Sequence, residues 1–290
     1  MIKLCIYYLY KFIIKLIIHI FFLSTQNQMN LSYNIKYIKY LIFAKHRHGH
    51  GIHSPFVYEL LTTVIENDDQ FYIFNDIDNL RTQLLSSTNT IEVTDFGAGS
   101  KVQKSPIRKI KNIVKYSARN SKYGQLLFRL VTFFEPKTII ELGTSLGFSS
   151  MYLAAPYSKT TVYTFEGCPN LSKLAKYHFS LMNLKNIQQI TGNFNTTLPE
   201  TLKKIKKLDF VFFDGNHRYE PTMNYFNLCL TKAHDESVFI FDDIHWSQEM
   251  EKAWGEIKKH PEVIISIDLF FIGIVFFKKG MSKQHFTIKF

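Results

Sequence analysis

The sequence predicts an α/β fold, with a doubly wound, mostly parallel sheet of seven strands behind a helical N-terminal extension. Two observations predict it. From Thr138 onward, short β-branched or aromatic runs alternate with helical segments, at 138–142, 161–166, 187–191, 208–213, 237–242, 263–269 and 271–277. Several intervening helices are opened by proline, at Pro169 and Pro221. In addition, the last two runs, VIISIDLF and FIGIVFF, are joined too closely for a helix, so they pair antiparallel. The other strands run parallel, which gathers their carboxyl ends, and any ligand, along one edge.

A chain of 290 residues, 46% hydrophobic, forms one large domain or a domain with an appendage. The division expected is an apolar extension (1–28), an N-terminal helical or lid region (29–120) and the main domain (121–290). The net charge of +11 invites a nucleic-acid partner. Lys, Ile, Asn, Phe and Tyr are all abundant, however, as in AT-rich coding sequences, so the lysine excess also has a compositional reading. Cys5, Cys168 and Cys229 show no paired spacing, which argues against a disulfide framework or thiolate metal site and fits a cytoplasmic protein.

Taken in order, MIKLCIYYLYKFIIKLIIHIFFLS is apolar but interrupted by Lys3, Lys11, Lys15 and His19. Its uncharged stretches fall short of the ~20 residues of a spanning helix, and no small-residue cleavage site follows. Three readings stand: a weak membrane anchor within residues 1–23, an interfacial helix, or an upstream extension of a protein starting at Met29. The last is preferred, and the segment before Met29 is expected to be dispensable. Next come His46, His48, His50 and His53 with Gly49, Gly51 and Pro55, read as a loop packed on the main domain. A substrate contact and a metal site are its alternatives. Ser54 and Pro55 then open a helix.

Asp95-Phe-Gly97-Ala-Gly99 imitates a strand ending in an acid and glycines, but no acid-ended strand follows, so a structural turn is expected. After Ser105-Pro106, Ile107, Ile110 and Val114 are at helical spacing within a basic run. That run, part of the basic segment 101–129, reads as a solvated face, a nucleic-acid patch or a docking face for an acidic substrate. It lacks the interleaved aromatics of single-strand binders. SKYGQLLFRLVTFFEPK is an amphipathic helix leading into the first strand of the main domain.

That strand, TIIELGTSLGFSS, ends in Glu141, then Gly143 and Gly147. Glycines at a strand-to-helix turn let backbone N–H groups approach a ligand, and Gly143 is expected to face the ligand's carboxylate end. The four-residue spacing excludes the G-x-G-x-x-G of a dinucleotide site. The next strand, TVYTFE, ends in Glu166, placed to take ribose hydroxyls. A glycine turn and a ribose acid without phosphate glycines suggest a nucleoside ligand.

These residues resemble the class I S-adenosylmethionine (SAM) dependent methyltransferases. Glu141-Leu-Gly143-Thr144-Ser145-Leu-Gly147 matches their first motif, over a resemblance spanning roughly 121–277. It implies a Rossmann-like fold whose last strand is antiparallel. It also implies SAM held by Glu141, Gly143, Thr144, Ser145, Gly147 and Ser149, with Glu166 on the ribose, Asn193 near the adenine and Asp214 beside the methyl group.

Two later strands also end in carboxylates: LDFVFFDGNH in Asp214, and SVFIFDDIHWS in Asp242 and Asp243. On neighbouring parallel strands they should converge. Three clustered carboxylates repel unless a proton or cation lies among them, and oxygen ligands suit Mg²⁺ or another hard divalent ion. The alternative is that Asp242 serves the cofactor side and Asp243 caps the next helix with Ser247.

The constellation is similar to divalent-cation-dependent, catechol-type O-methyltransferases. It implies Asp214, Asp242 and Asp243 as metal ligands, with Asp243 replacing the usual Asn, and His217 in place of the catalytic Lys. An ordinary imidazole pKa near 6.5 would suit His217 as general base. The text from about Ile35, including HGIHSPF, FEGCPN and KQHFTIKF, also looks like an uncharacterised bacterial group of SAM methyltransferases. The function expected is O-methylation of a small-molecule hydroxyl. The rivals are an RNA- or protein-modifying methyltransferase using 101–129, a non-catalytic SAM-binding module, and a nicotinamide oxidoreductase disfavoured by the glycine spacing.

Overall fold

A computed structural model describes residues 31–44, 51–94, 105–117 and 120–290. The apolar segment before Met29, three of the four clustered histidines (His46, His48, His50) and the Asp95–Gly99 turn lie outside the described residues.

Among the described residues three helices come first: α1 (Leu31–Phe43), α2 (Pro55–Leu60, continued by one wide turn, Leu61–Ile65) and α3 (Tyr72–Leu85). The Ser54 side chain caps α2 by accepting from the Val57 N–H, and Pro55 stands in the first turn. A small antiparallel pair follows, β1 (Thr90–Glu92) with β2 (Ile107–Lys109), before α4 (Ile110–Ser117) and α5 (Ser121–Phe134). Ile107 was expected inside the helix but belongs to β2 and is exposed, while Ile110, Ile113 and Val114 of α4 are buried. The pairing with β1 explains this, because it holds residues 107–109 extended.

The main sheet alternates β3 (Thr138–Leu142), α6 (Phe148–Ala154), β4 (Thr161–Glu166), α7 (Pro169–Leu181), β5 (Ile187–Thr191), α8 (Phe194–Lys204), β6 (Phe210–Phe213), α9 (Tyr219–Leu230), β7 (Val238–Asp242), α10 (Gln248–Lys259), β8 (Ile265–Asp268) and β9 (Ile272–Phe276). The sheet order is β10-β8-β9-β7-β6-β3-β4-β5. As expected, β9 is antiparallel to its neighbours β7 and β8, and the order reverses between β3 and β6. The sheet has eight strands, however, not seven. The eighth, β10 (Gln284–Thr287), pairs parallel with the outer edge of β8. Because β9 carries the chain back, a short link reaches that edge without a crossover helix.

Successive strand residues face opposite layers, which makes a three-layer molecule. On one face Ile139, Val162, Phe212 and Ile274 pack with Leu126, Leu130 and Val131 of α5 and with Val57, Leu60 and Val64 around α2. On the other, Ile140, Phe213, Phe239 and Phe241 meet Leu198, Phe226 and Trp254 of α8, α9 and α10. Residues of the N-terminal region therefore share the main core rather than forming one of their own. Arg129, counted in the basic run, is also interior, where it donates to the Val64 carbonyl at 2.8 Å.

Candidate active site

The carboxyl ends of β3, β4, β6 and β7 form one edge, and Glu141, Glu166, Asp214, Asp242 and Asp243 lie on it. The turn after β3 is folded by its glycines. Gly143 has φ +111° and Gly147 φ +86°. A Cβ at Gly143 would lie 2.3 Å from the Asp214 carbonyl oxygen. This glycine therefore makes room for the neighbouring β6 turn, a reason the sequence did not reveal. The Gly143 and Thr144 N–H groups both donate to the Phe165 carbonyl, and Asp214 N–H donates to Leu142, so the three turns are laced together.

Glu141 is fully buried. Its Oε2 accepts from Ser150 and, at 2.6 Å, from Thr164, whereas Oε1 accepts no hydrogen bond. Burial pushes its carboxyl up to about 7, opposed by Ser149, Ser150 and Thr164 and assisted by the charge of Asp214. Glu166 is organised differently: Oε2 accepts from Ser145 N–H at 2.7 Å and Oε1 from Cys168 N–H at 2.9 Å. These two backbone donors fix its orientation at the end of β4. Asn193 is exposed, and its Oδ1 accepts from Asn195 N–H at 2.9 Å, which spends that atom on capping α8.

Across the turn from Ser145 lies a second group. One ligand atom each from Asp214, His217 and Asp242 falls within 4.8 Å of the others. His217 Nε2 is 3.5 Å from Asp214 Oδ1 and 3.9 Å from Asp243 Oδ2. Asn216, at φ +54°, turns the chain back so that His217 faces Asp214 three residues before it. Of the three expected metal ligands, Asp214 and Asp242 belong to this group together with His217, while Asp243, at φ +57°, faces the imidazole from beside it. Ser247 caps α10, by accepting from Met250 N–H.

Burial lowers the pKa of His217, but the Asp214 hydrogen bond and the charges of Asp243, Asp214 and Asp242 outweigh this and raise it to about 9.

One functional candidate was not singled out in the sequence. Arg81 of α3 lines the same cavity as Gly143, Thr144, Ser145, Ser149, Tyr152 and Asp214. Its guanidinium lies 4.4 Å from the Phe148 ring centroid, at the start of α6. No motif marks it, since it reaches the turn only through the packing of Phe74 and Ile77 against Phe148 and Tyr152.

Comparison with known proteins decides the class of this edge. Residues 140–244 match the family described as "Methyltransferase domain". This segment, about a third of the chain, is similar to that family. The match begins in β3 and ends just past Asp243, so it contains every expected site residue on the sheet edge. No curated protein matches the chain significantly. Among solved structures, a putative O-methyltransferase from Klebsiella pneumoniae is 13% identical at a TM-score of 0.51, over 73% of this chain and 92% of that one. Cofactor-bound Rv0187 from MTB is 16% identical at 0.52, over 78% and 98%. At these identities they show that this chain and those proteins share one fold over the parts that match.

Proposed function

We propose that this protein transfers the methyl group of SAM to a hydroxyl oxygen of a small molecule, with a divalent cation at Asp214, His217 and Asp242. One observation carries the reading. The glycine turn with Glu166 and the Asp214–His217–Asp242 group meet on one edge, and Asp214 belongs to both.

The residues fit both absent groups. For SAM, Glu166 presents a carboxylate at the end of β4 whose orientation two backbone donors fix, and Glu141 offers a buried acceptor oxygen with no hydrogen-bond partner in the protein. Arg81 supplies the cationic side chain lining that cavity and is assigned to the carboxylate of the methionine portion. For the cation, two carboxylates and one imidazole are an oxygen-rich set suited to Mg²⁺ or Mn²⁺. When bound, SAM supplies an electrophilic methyl group, and the cation supplies a Lewis acid that lowers a hydroxyl's pKa. The chain's own part is to orient. Glu166 is held by two backbone donors, Asp214 is fixed by the Leu142 carbonyl, and His217 is turned inward by Asn216. In this reading His217 is a ligand, and Asp243 orients its ring.

The test is calorimetry with SAM and its demethylated product, followed by methyl transfer to a panel of small hydroxyl compounds with Mg²⁺ and with chelator. Tight SAM binding in both conditions, with turnover only with the cation, supports the reading. Full turnover in excess chelator removes the cation from it, and absence of SAM binding removes the whole.

A further inference from the structure

The cavity that holds Arg81 also contains a buried hydroxyl that no group of the protein satisfies. Tyr152 of α6 is 1% exposed and lines this cavity with Ser145, Ser149 and Asp214. Its ring is seated between α3 and α5. The Phe74 ring of α3 lies 5.7 Å from it, centroid to centroid, and on α5 a Cβ at Gly124 would collide with it. Glycine lowers helix stability relative to alanine, so Gly124 marks the space that Tyr152 takes. The Tyr152 hydroxyl has no hydrogen-bond partner in the protein. Ser121 lies beside it without reaching hydrogen-bond geometry, and donates instead to Asp78.

Burial and the charge of Asp78 push the Tyr152 phenol up to about 12, so at neutral pH it keeps its proton and can donate it. Buried donors are nearly always paired in folded proteins, and one left open points to a partner that arrives with a ligand. The Arg81 guanidinium is close enough for its charge to act on Tyr152, and it covers Phe148, one turn earlier on α6. Ser149 stands three residues before Tyr152, on the same side of that helix. Asp78 acts on both Arg81 and Tyr152, and its Oδ1 is already taken by Ser121. A guanidinium and an open hydroxyl donor on one wall fit an anionic oxygen group. In SAM that group is the α-carboxylate of the methionine portion, since the amine and the sulfonium are positive and Arg81 repels them.

We propose that Tyr152 is a cofactor-binding residue whose hydroxyl, beside Arg81, hydrogen-bonds the α-carboxylate of SAM and makes the protein select methyl donors that carry one. This rests on the SAM reading above and adds the group that reads the far end of the cofactor. Arg81 and Gly124 precede residue 140, where the family match begins. The helices before β3 therefore complete a cofactor subsite that the matched segment does not contain by itself.

Calorimetry on the full chain tests this with SAM and with decarboxylated SAM, which keeps the sulfonium and the amine but not the carboxylate. The parent should bind SAM the more tightly of the two. Tyr152→Phe should raise the Kd for SAM about tenfold or more, the scale of one hydrogen bond to a charged group, and leave that for decarboxylated SAM unchanged. Its melting temperature without ligand should equal or exceed that of the parent, because an unsatisfied hydroxyl is removed from the interior. Equal binding of both ligands by the parent, an unchanged Kd for SAM in the variant, or an equal loss for both ligands overturns the assignment while the SAM reading stands. A lower melting temperature of the ligand-free variant would show that the hydroxyl is already bonded, and overturns it too. A parent that binds neither ligand removes the SAM reading and this inference with it.

Discussion

Glu141 and His217 are both displaced toward their protonated forms, and each displacement carries a measurable pH dependence. For Glu141, burial holds the folded-state carboxyl near 7 against an ordinary 4.5. The folded protein therefore binds the proton more tightly than the unfolded chain. This stabilisation is complete below pH 4.5 and is lost as pH rises toward 7. Glu141→Gln should remove that loss. The melting temperatures of parent and variant should diverge between those limits and run parallel above them, with a difference on the order of 3 kcal/mol. Parallel curves throughout would place Glu141 in a wetter site than the structure shows. For His217, a divalent ion must displace the imidazolium proton, so its apparent affinity should rise as pH increases toward about 9. Thermal shift with Mn²⁺ reads this without any turnover. His217→Ala should flatten the slope, Asp214→Ala should abolish the shift, and Asp243→Asn should be the mildest change. Arg81→Ala should raise the Kd for SAM by about tenfold, the scale of one charged hydrogen-bonded contact. It should leave that for 5′-methylthioadenosine, which lacks the amino-acid carboxylate, unchanged. An equal loss for both ligands would make Arg81 a packing residue.

At the scale of elements, the site depends on turns that approach one another more closely than side chains allow. Gly143 and Gly280 separate conformation from crowding. Both have positive φ, but a Cβ at Gly280 meets nothing within 4 Å, whereas at Gly143 it meets the backbone of Asp214. Gly280→Ala should cost about 1–2 kcal/mol, the ordinary left-handed penalty. Gly143→Ala should cost well beyond that and should weaken binding of both SAM and Mn²⁺, because it separates the β3 and β6 turns. Chemical denaturation of the two variants distinguishes these effects. The sequence revealed these strands because buried parallel strands are written as dense β-branched and aromatic runs, and their carboxylates because each stands at the end of such a run. Asn216 hid the role of His217. Only a left-handed residue there brings the imidazole back onto Asp214, and the spacing of His217 along the chain carries no trace of that. Strand β10 was hidden for a different reason: QHFT buries one residue in four, Phe286, too few to make a pattern.

Across the whole molecule, the two halves of the chain are joined near α1. The Tyr40 hydroxyl donates to the Ile288 carbonyl at 2.7 Å and accepts from the Phe290 N–H at 2.8 Å. The Lys36–Glu251 pair continues through Glu251 to His245, and His245 Nε2 lies 2.9 Å from Asp268. Tyr40→Phe removes one donor and leaves the Phe290 N–H without that acceptor, so it should lower stability by about 1–2 kcal/mol. Ending the chain at Gly280 should lower it further and expose the β8 edge to pairing between molecules, read as loss of monomer in sedimentation. The placement of α1 was not legible in the sequence, because its aromatic face names no partner. Phe270 and Phe271, which receive it, lie in the short β8–β9 connection.

The Tyr40 bond has a consequence for how the protein is made. Its partners are separated from it by 248 and 250 positions. A ribosome adding about 5–20 residues per second exposes α1 many seconds before Ile288 is synthesised. Through that interval its tyrosines have no finished surface to rest on, and the helix is open to chaperones and proteases. The first of the described helices to emerge is thus among the last parts to be secured.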